Sequence, residues 1–187
     1  MNNSLSRLFR INQKLSEKQK TYLINQIKTV ELPVGERWVK HGTGAGVAYV
    51  QNGLIKMMSR GHDREMLLRF IRDGEGLLLP AVTLKIWFVA IEPTTIHYIE
   101  DEDMEEMCER YPQLNGLPRR FTMREVSTRV MDQQIGTFTD QGKLYHLFAR
   151  HHKHFLDRIP PEDIATYLGI SKTVLKMVSS MDGLKRL

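Results

Sequence analysis

Between Pro161 and Val178 the chain reads PEDIATYLGISKTVLKMV, and the spacing of its small and apolar residues leaves few ways to fold. Counted from Pro161 as the first position of a twenty-residue helix-turn-helix, positions 4, 8, 10, 15 and 18 must be apolar so that two helices close on each other, and Ile164, Leu168, Ile170, Leu175 and Val178 stand there. Position 5 must be small where the second helix crosses the first, and is Ala165; position 9 must accept a left-handed backbone in a tight turn, and is Gly169. Pro160 and Pro161 suit the entry to the first helix, and Ser171 is placed to cap the second. An ordinary helical hairpin is the competing reading, but it seldom needs both the alanine and the glycine. If the second helix lies in a major groove, its outward side carries Ser171, Lys172, Thr173, Lys176, Met177 and Ser180. Lysines at 172 and 176 suit phosphate contact or a guanine edge. The face lacks Arg, Asn and Gln, whose side chains give paired base contacts, so affinity for DNA is easier to foresee than base preference.

The distribution of charge agrees with a polyanionic partner for this region. The chain has 27 Lys and Arg against 22 Asp and Glu, a net charge of +5. Residues 141–187 hold eight of the basic residues against four acids, so most of the excess lies in the last quarter.

Ahead of the motif the pattern divides. From Ser4 to Thr29, Leu8, Ile11, Leu15, Leu23, Ile24 and Ile27 read as two short helices, with Ser16-Glu17 as a start signal. From about Val30 to Ile99 the chain changes to short runs rich in Val, Ile, Tyr, Trp and Phe: RWVKHG, GVAYVQNGLIKMM, REMLLRFI and KIWFVAIEPTTIHYI. Asn52-Gly53 predicts a tight hairpin with both central residues at positive φ, and RGHDRE and IEPTTI predict further turns. Many strands without helices between them predict an antiparallel sandwich, barrel or jelly roll, so the fold class is α+β. Seven acids between Glu100 and Glu109 are expected in the first turns of a helix ending near Pro112. Leu114, Leu117, Phe121, Met123, Val126 and Val130 form an apolar stripe, broken by one slip of register, on a helix flanked by arginines. Thr139 and Asp140 then cap a short helix with Leu144, Leu147 and Phe148.

Helical lead-in, β-rich middle, long helix and C-terminal helix-turn-helix together resemble the Crp/Fnr family of bacterial transcription regulators over nearly the whole chain. RIPPEDIATYLGIS is similar to the branch with an abbreviated C-terminal domain, as in Bacteroidetes regulators. The resemblance implies an effector-sensing, cyclic-nucleotide-binding-like β-roll with N-terminal helices over 1–113, a dimerisation helix over 114–136 and a DNA-binding unit over 137–187. It further implies a cytoplasmic homodimer with double-stranded DNA and RNA polymerase as partners. In family members that bind a cyclic nucleotide, a Gly-Glu pair holds the sugar and an arginine ten residues on, followed by a hydroxyl and a small residue, holds the phosphate. Gly74-Glu75 matches the pair, whereas Lys85, Ile86 and Trp87 stand where the arginine, hydroxyl and small residue are expected. A lysine neutralises phosphate only as a point charge, so a cyclic nucleotide is an effector this sequence argues against, and the effector is unassigned. The recognition helix also departs from the family's Ser-Arg-Glu-x-Val-x-Arg, reading Ser171-Lys172-Thr173-Val174-Leu175-Lys176-Met177, and little chain follows for a wing.

Other chemistry finds less support. HGTGAG from His41 precedes a strand-like run rather than a helix, which argues against a phosphate cradle. His151, His152 and His154 lie outside the strands on which a cupin-type oxygenase would carry its ligands, and no metal site or catalytic group is assigned. Cys108 is the single cysteine, which rules out an internal disulfide or a four-cysteine cluster. No apolar run is long enough to span a membrane, and no signal-peptide core opens the chain. The chain is therefore expected to be a non-enzymatic, DNA-binding regulator. The alternative from another class is a ligand-binding or protein-interaction module that has lost productive DNA recognition.

Overall fold

The computed structural model describes residues 16–39, 46–61, 63–79, 85–112, 115 and 140–184. Helix α1 (Glu17–Asn25) begins at the expected place: the Ser16 hydroxyl accepts the Gln19 N–H while the Gln19 side chain accepts the Ser16 N–H, a reciprocal cap. Among the described residues eight strands follow: β1 (Lys28–Leu32), β2 (Arg37–Trp38), β3 (Gly46–Asn52), β4 (Leu54–Arg60), β5 (Glu65–Arg72), β6 (Gly76–Leu79), β7 (Ile86–Ala90) and β8 (Thr94–Glu100). They form two antiparallel four-stranded sheets, ordered β1-β8-β3-β6 and β2-β7-β4-β5. The strand-rich middle predicts an antiparallel sandwich, barrel or jelly roll, and the two sheets form the β-roll that the family resemblance implies.

Period-two alternation decides which side chains meet between the sheets. Ala48, Val50, Leu77 and Ile96 from the first sheet meet Ile55, Met57, Ile71 and Phe88 from the second, all buried. On the first sheet's other face, Val47, Tyr49 and Ile99 pack against Leu23 of α1 and against Met104 and Met107 of α2 (Asp101–Arg110). Helix α2 bears its acids at Asp101, Glu102 and Asp103 in the first turn, where the helix dipole favours them, as the acidic run predicts.

The second sheet's outer face is covered by the C-terminal helices α3 (Gln141–His151), α4 (Pro161–Leu168) and α5 (Lys172–Leu184), with a short 3-10 turn, Leu156–Arg158, before α4. A β-bulge makes this possible. The register of β4 on β5 shifts between Met57 and Met58, so that Leu67 and Phe70, which strict alternation would put on opposite faces, both reach the helices. Leu54, Leu67 and Phe70 join Leu144, Phe148, Ile164, Leu168, Leu175 and Val178 in one apolar cluster. The helical unit and the sheet therefore share a core.

One turn differs from its sequence reading. Asn52-Gly53 does not close a hairpin, because β3 and β4 belong to different sheets. Of the pair only Gly53 has positive φ, +102°. The chain turns a corner there, and a Cβ at 53 would lie 2.7 Å from Thr94 Cα, so close approach to β8 rather than a mirror-image turn requires the glycine. Thr94 completes the corner, its hydroxyl accepting the Leu54 N–H and donating to Glu92 O. Strands β1 and β6 lie in stretches, KTVEL and GLLL, not singled out as strands in the sequence. The helix expected within residues 4–15, the loop at His41 and the dimerisation helix lie outside the described residues. No described helix is long and apolar enough to cross a membrane.

Candidate nucleic-acid interface and its attachment to the roll

The motif folds as its spacing dictates. Pro161 opens α4 at a position where a missing N–H costs nothing. Gly169 ends it in the left-handed region, φ +66°, and the Ile170 N–H returns to Ala165 O at 3.0 Å. At the start of α5 the Ser171 hydroxyl accepts the Val174 N–H at 3.2 Å. Ile164, Ala165, Leu168, Leu175 and Val178 are buried and Ile170 packs against them, so each position required to be apolar or small faces the helix contact.

The opposite side of α5 is open. Ser171, Lys172, Thr173, Lys176, Met177 and Ser180 are all exposed, and Met177 is among the most exposed large apolar side chains described, at 55%. Their spacing along the helix puts them in two adjacent stripes of one face. The face is cationic and partly apolar, and its hydroxyls are partly committed: Ser180 Oγ donates to Lys176 O at 2.7 Å.

The residues considered for an effector pocket are not gathered into one place. Gly74 and Glu75 form the β5–β6 turn, with Gly74 at φ +82°, and the Glu75 carboxylate turns back to accept the Arg72 N–H at 3.3 Å. That turn follows Arg72, which pairs with Leu54 at the start of β4. Lys85 is exposed and its carbonyl accepts the Arg60 N–H at the far end of β4, a strand roughly 20 Å long at ~3.3 Å per residue. Ile86 packs against the inter-sheet core, whereas Trp87, one residue on, turns to the other face of β7 beneath the Arg37 guanidinium, 4.1 Å from its ring centre. The interior beside them is occupied by Trp38, whose ring lies 5.5 Å from Phe88 and 5.4 Å from Tyr98.

What the structure does gather, and the sequence did not announce, is a set of polar anchors joining roll to helices. Arg158, in the 3-10 turn, donates to Asp73 Oδ1 at 2.7 Å, to Gly53 O at 3.1 Å and to both carboxylate oxygens of Glu92. It thus ties three separate connections of the roll, the 53 corner, the β5–β6 turn and the β7–β8 turn, to the entry of α4. These hydrogen bonds, that to Glu92 foremost, hold its pKa above the ordinary arginine value. Lys56 of β4 reaches Asp163 in the first turn of α4 at 2.6 Å, with both side chains largely buried. Arg158→Ala leaves Asp73 and Glu92 without their shared cation. It is expected to cost about 1–2 kcal/mol in a urea titration, less than a fully buried pair because both acids keep contact with water.

His152 sits at the centre of this junction, ringed by Phe70, Phe148, Phe155 and Tyr167. It is buried, and its Nε2 has no hydrogen-bond partner among the described residues. Burial, with smaller contributions from the charges of His151 and Arg69, lowers its pKa to about 3. The folded state therefore refuses a proton that the unfolded chain accepts below about pH 6.5, so stability is full above that pH and falls as pH drops toward 3. At pH 5 the loss is about 2 kcal/mol. His152→Phe is expected to remove that part of the drop in melting temperature between pH 7 and pH 5, read as the difference between the two proteins' profiles. Among the described residues no group of histidine, cysteine or acidic side chains is arranged to hold a metal ion.

No protein-family model and no curated protein matches the sequence. Solved structures do. FixK2 from Bradyrhizobium japonicum is 13% identical with a TM-score of 0.70, the alignment covering 85% of each chain. A protein described as a Crp/Fnr-family transcriptional regulator, from Eubacterium rectale, is 15% identical with a TM-score of 0.65, over 95% of this chain and 88% of that one. The c-di-GMP-responsive global regulator CLP from Xanthomonas campestris is 15% identical with a TM-score of 0.60, over 92% and 94%.

Proposed function

We propose that this chain, which has the fold of the Crp/Fnr regulators, is a DNA-binding transcription regulator that acts in the cytoplasm as a homodimer. The observation that carries the reading is the exposed face of α5 and its cap Ser171: six outward side chains, two of them lysines, on a helix whose other side is locked into the core. A helix with that face unpartnered and cationic suits the major groove of a polyanion. One helix reaches only three or four base pairs, too few for a genomic address, so two copies bound to a two-fold symmetric site supply the specificity. The apolar stripe of residues 114–136 is the segment proposed to join them, dividing an effector-sensing unit over 1–113 from a DNA-binding unit over 137–187. RNA polymerase is the further partner such a regulator would engage.

The roll is proposed as the sensor, with its effector unassigned. Gly74, Glu75, Lys85, Ile86 and Trp87 remain the residues to test for a ligand. Their separation along β4 counts against a cyclic nucleotide held in the family's manner.

Selection from a pool of duplexes with a randomised core tests the proposal. The expected product is a palindromic sequence with half-sites about one helical turn apart, bound by a species whose light-scattering mass is that of two chains. Failure to retain any duplex at low salt, with a thermal shift from a small molecule, would favour a ligand-binding module that has lost DNA recognition.

A further inference from the structure

The recognition face is chemically narrow, and its narrowness points to what it reads. Ser171 Oγ accepts a backbone N–H of its own helix, and Ser180 Oγ donates to Lys176 O. Lys172, Thr173, Lys176 and Met177 are left to reach outward, at i, i+1, i+4 and i+5 in the first half of α5. A lysine ammonium only donates, so it meets phosphate oxygens or guanine O6 and N7. A carboxylate or amide that would accept from the amino groups of adenine or cytosine is lacking among these four. Met177, at 55% exposure, offers a flexible thioether, and Thr173, four residues earlier and so on the same stripe of the helix, carries a methyl group. The apolar feature displayed on the floor of the major groove is the thymine 5-methyl group.

Resting on the regulator reading above, we infer that Met177 is a specificity-determining residue that selects thymine through its 5-methyl group, with the Thr173 methyl on the same stripe and the two lysines anchoring the helix. The half-site is therefore one in which thymine is read by contact rather than by paired hydrogen bonds. Preference at those positions depends on the methyl group and survives exchange of thymine for 5-methylcytosine better than exchange for uracil.

The test uses the full-length chain and its selected duplex, prepared once with thymidine and once with deoxyuridine throughout the half-sites. Binding is followed by fluorescence anisotropy. The wild-type chain is expected to bind the deoxyuridine duplex about fourfold more weakly for each methyl contact removed. Met177→Ala, at an exposed position where the fold is not at stake, is expected to weaken binding to the thymidine duplex by a similar factor and to lose little more on the deoxyuridine duplex. Equal wild-type affinity for the two duplexes would overturn the methyl reading while leaving DNA binding standing. An undiminished deoxyuridine penalty in Met177→Ala would overturn the assignment to Met177. Absence of binding to either duplex would overturn the regulator reading on which the inference rests.

Discussion

Phe148→Ala is expected to cost about 3–5 kcal/mol and to lower the melting of sheet and helices by the same amount. Phe148 lies in α3 with no exposure, its ring 4.5 Å from His152, 5.4 Å from Tyr167 of α4 and 6.1 Å from Phe70 of β5. Truncation opens a cavity bounded on one side by the second sheet and on the other by the helical unit. For a chain of this length the loss corresponds to a fall in melting temperature of roughly 10 °C. Two probes separate the halves of the molecule. Trp38 and Trp87, the only tryptophans, both lie on strands of the second sheet, whereas far-ultraviolet circular dichroism is dominated by the helices. A shared core requires both signals to shift together. A helical signal that falls while tryptophan fluorescence keeps its wild-type midpoint would show that the two units fold separately.

The second large effect concerns DNA rather than stability. Replacing Lys172 and Lys176 together by alanine is expected to weaken binding to duplex DNA by about tenfold or more at moderate salt and to flatten its salt dependence. Each lysine–phosphate contact removed lowers the steepness of log K against log salt by about 0.9, roughly 3 to 4 for a dimer that loses four. Both side chains are exposed, so unfolding should stay within about 0.5 kcal/mol of the wild type. Unchanged binding with unchanged slope would move the interface away from this face of α5.

The parts of this molecule that were legible in its sequence are those where one residue type answers one local demand. Gly169 stands where the turn needs a left-handed backbone, Ser16 and Asp140 stand where exposed N–H groups need acceptors, and Ala165 stands where two helices cross. The five outward residues of α5 and its cap Ser171 followed from the helix-turn-helix count and the helical period. The corner at Gly53 misled because Asn-Gly between two strand-like runs is also the signature of a hairpin. Which sheet the next strand joins is settled by its pairing with the distant β7, together with its hairpin to β5, and neither leaves a trace at Asn52-Gly53 itself. Arg158 and the Lys56–Asp163 pair were not foreseen for the same reason, since their partners lie 66 to 107 residues away. Matching Gly74-Glu75 and Lys85 by count along the chain placed them in one pocket. The path of the backbone along β4 instead separates the acid from the lysine.

The most direct measurement for the central claim is the affinity of the unmodified chain for a fluorescein-labelled duplex, titrated across a series of salt concentrations. A homodimer gripping DNA through two copies of the α5 face predicts a straight line of log K against log salt with a slope of about −4 or steeper. No binding at the lowest salt, or an affinity indifferent to salt, would contradict the account and leave this fold as a scaffold for another activity.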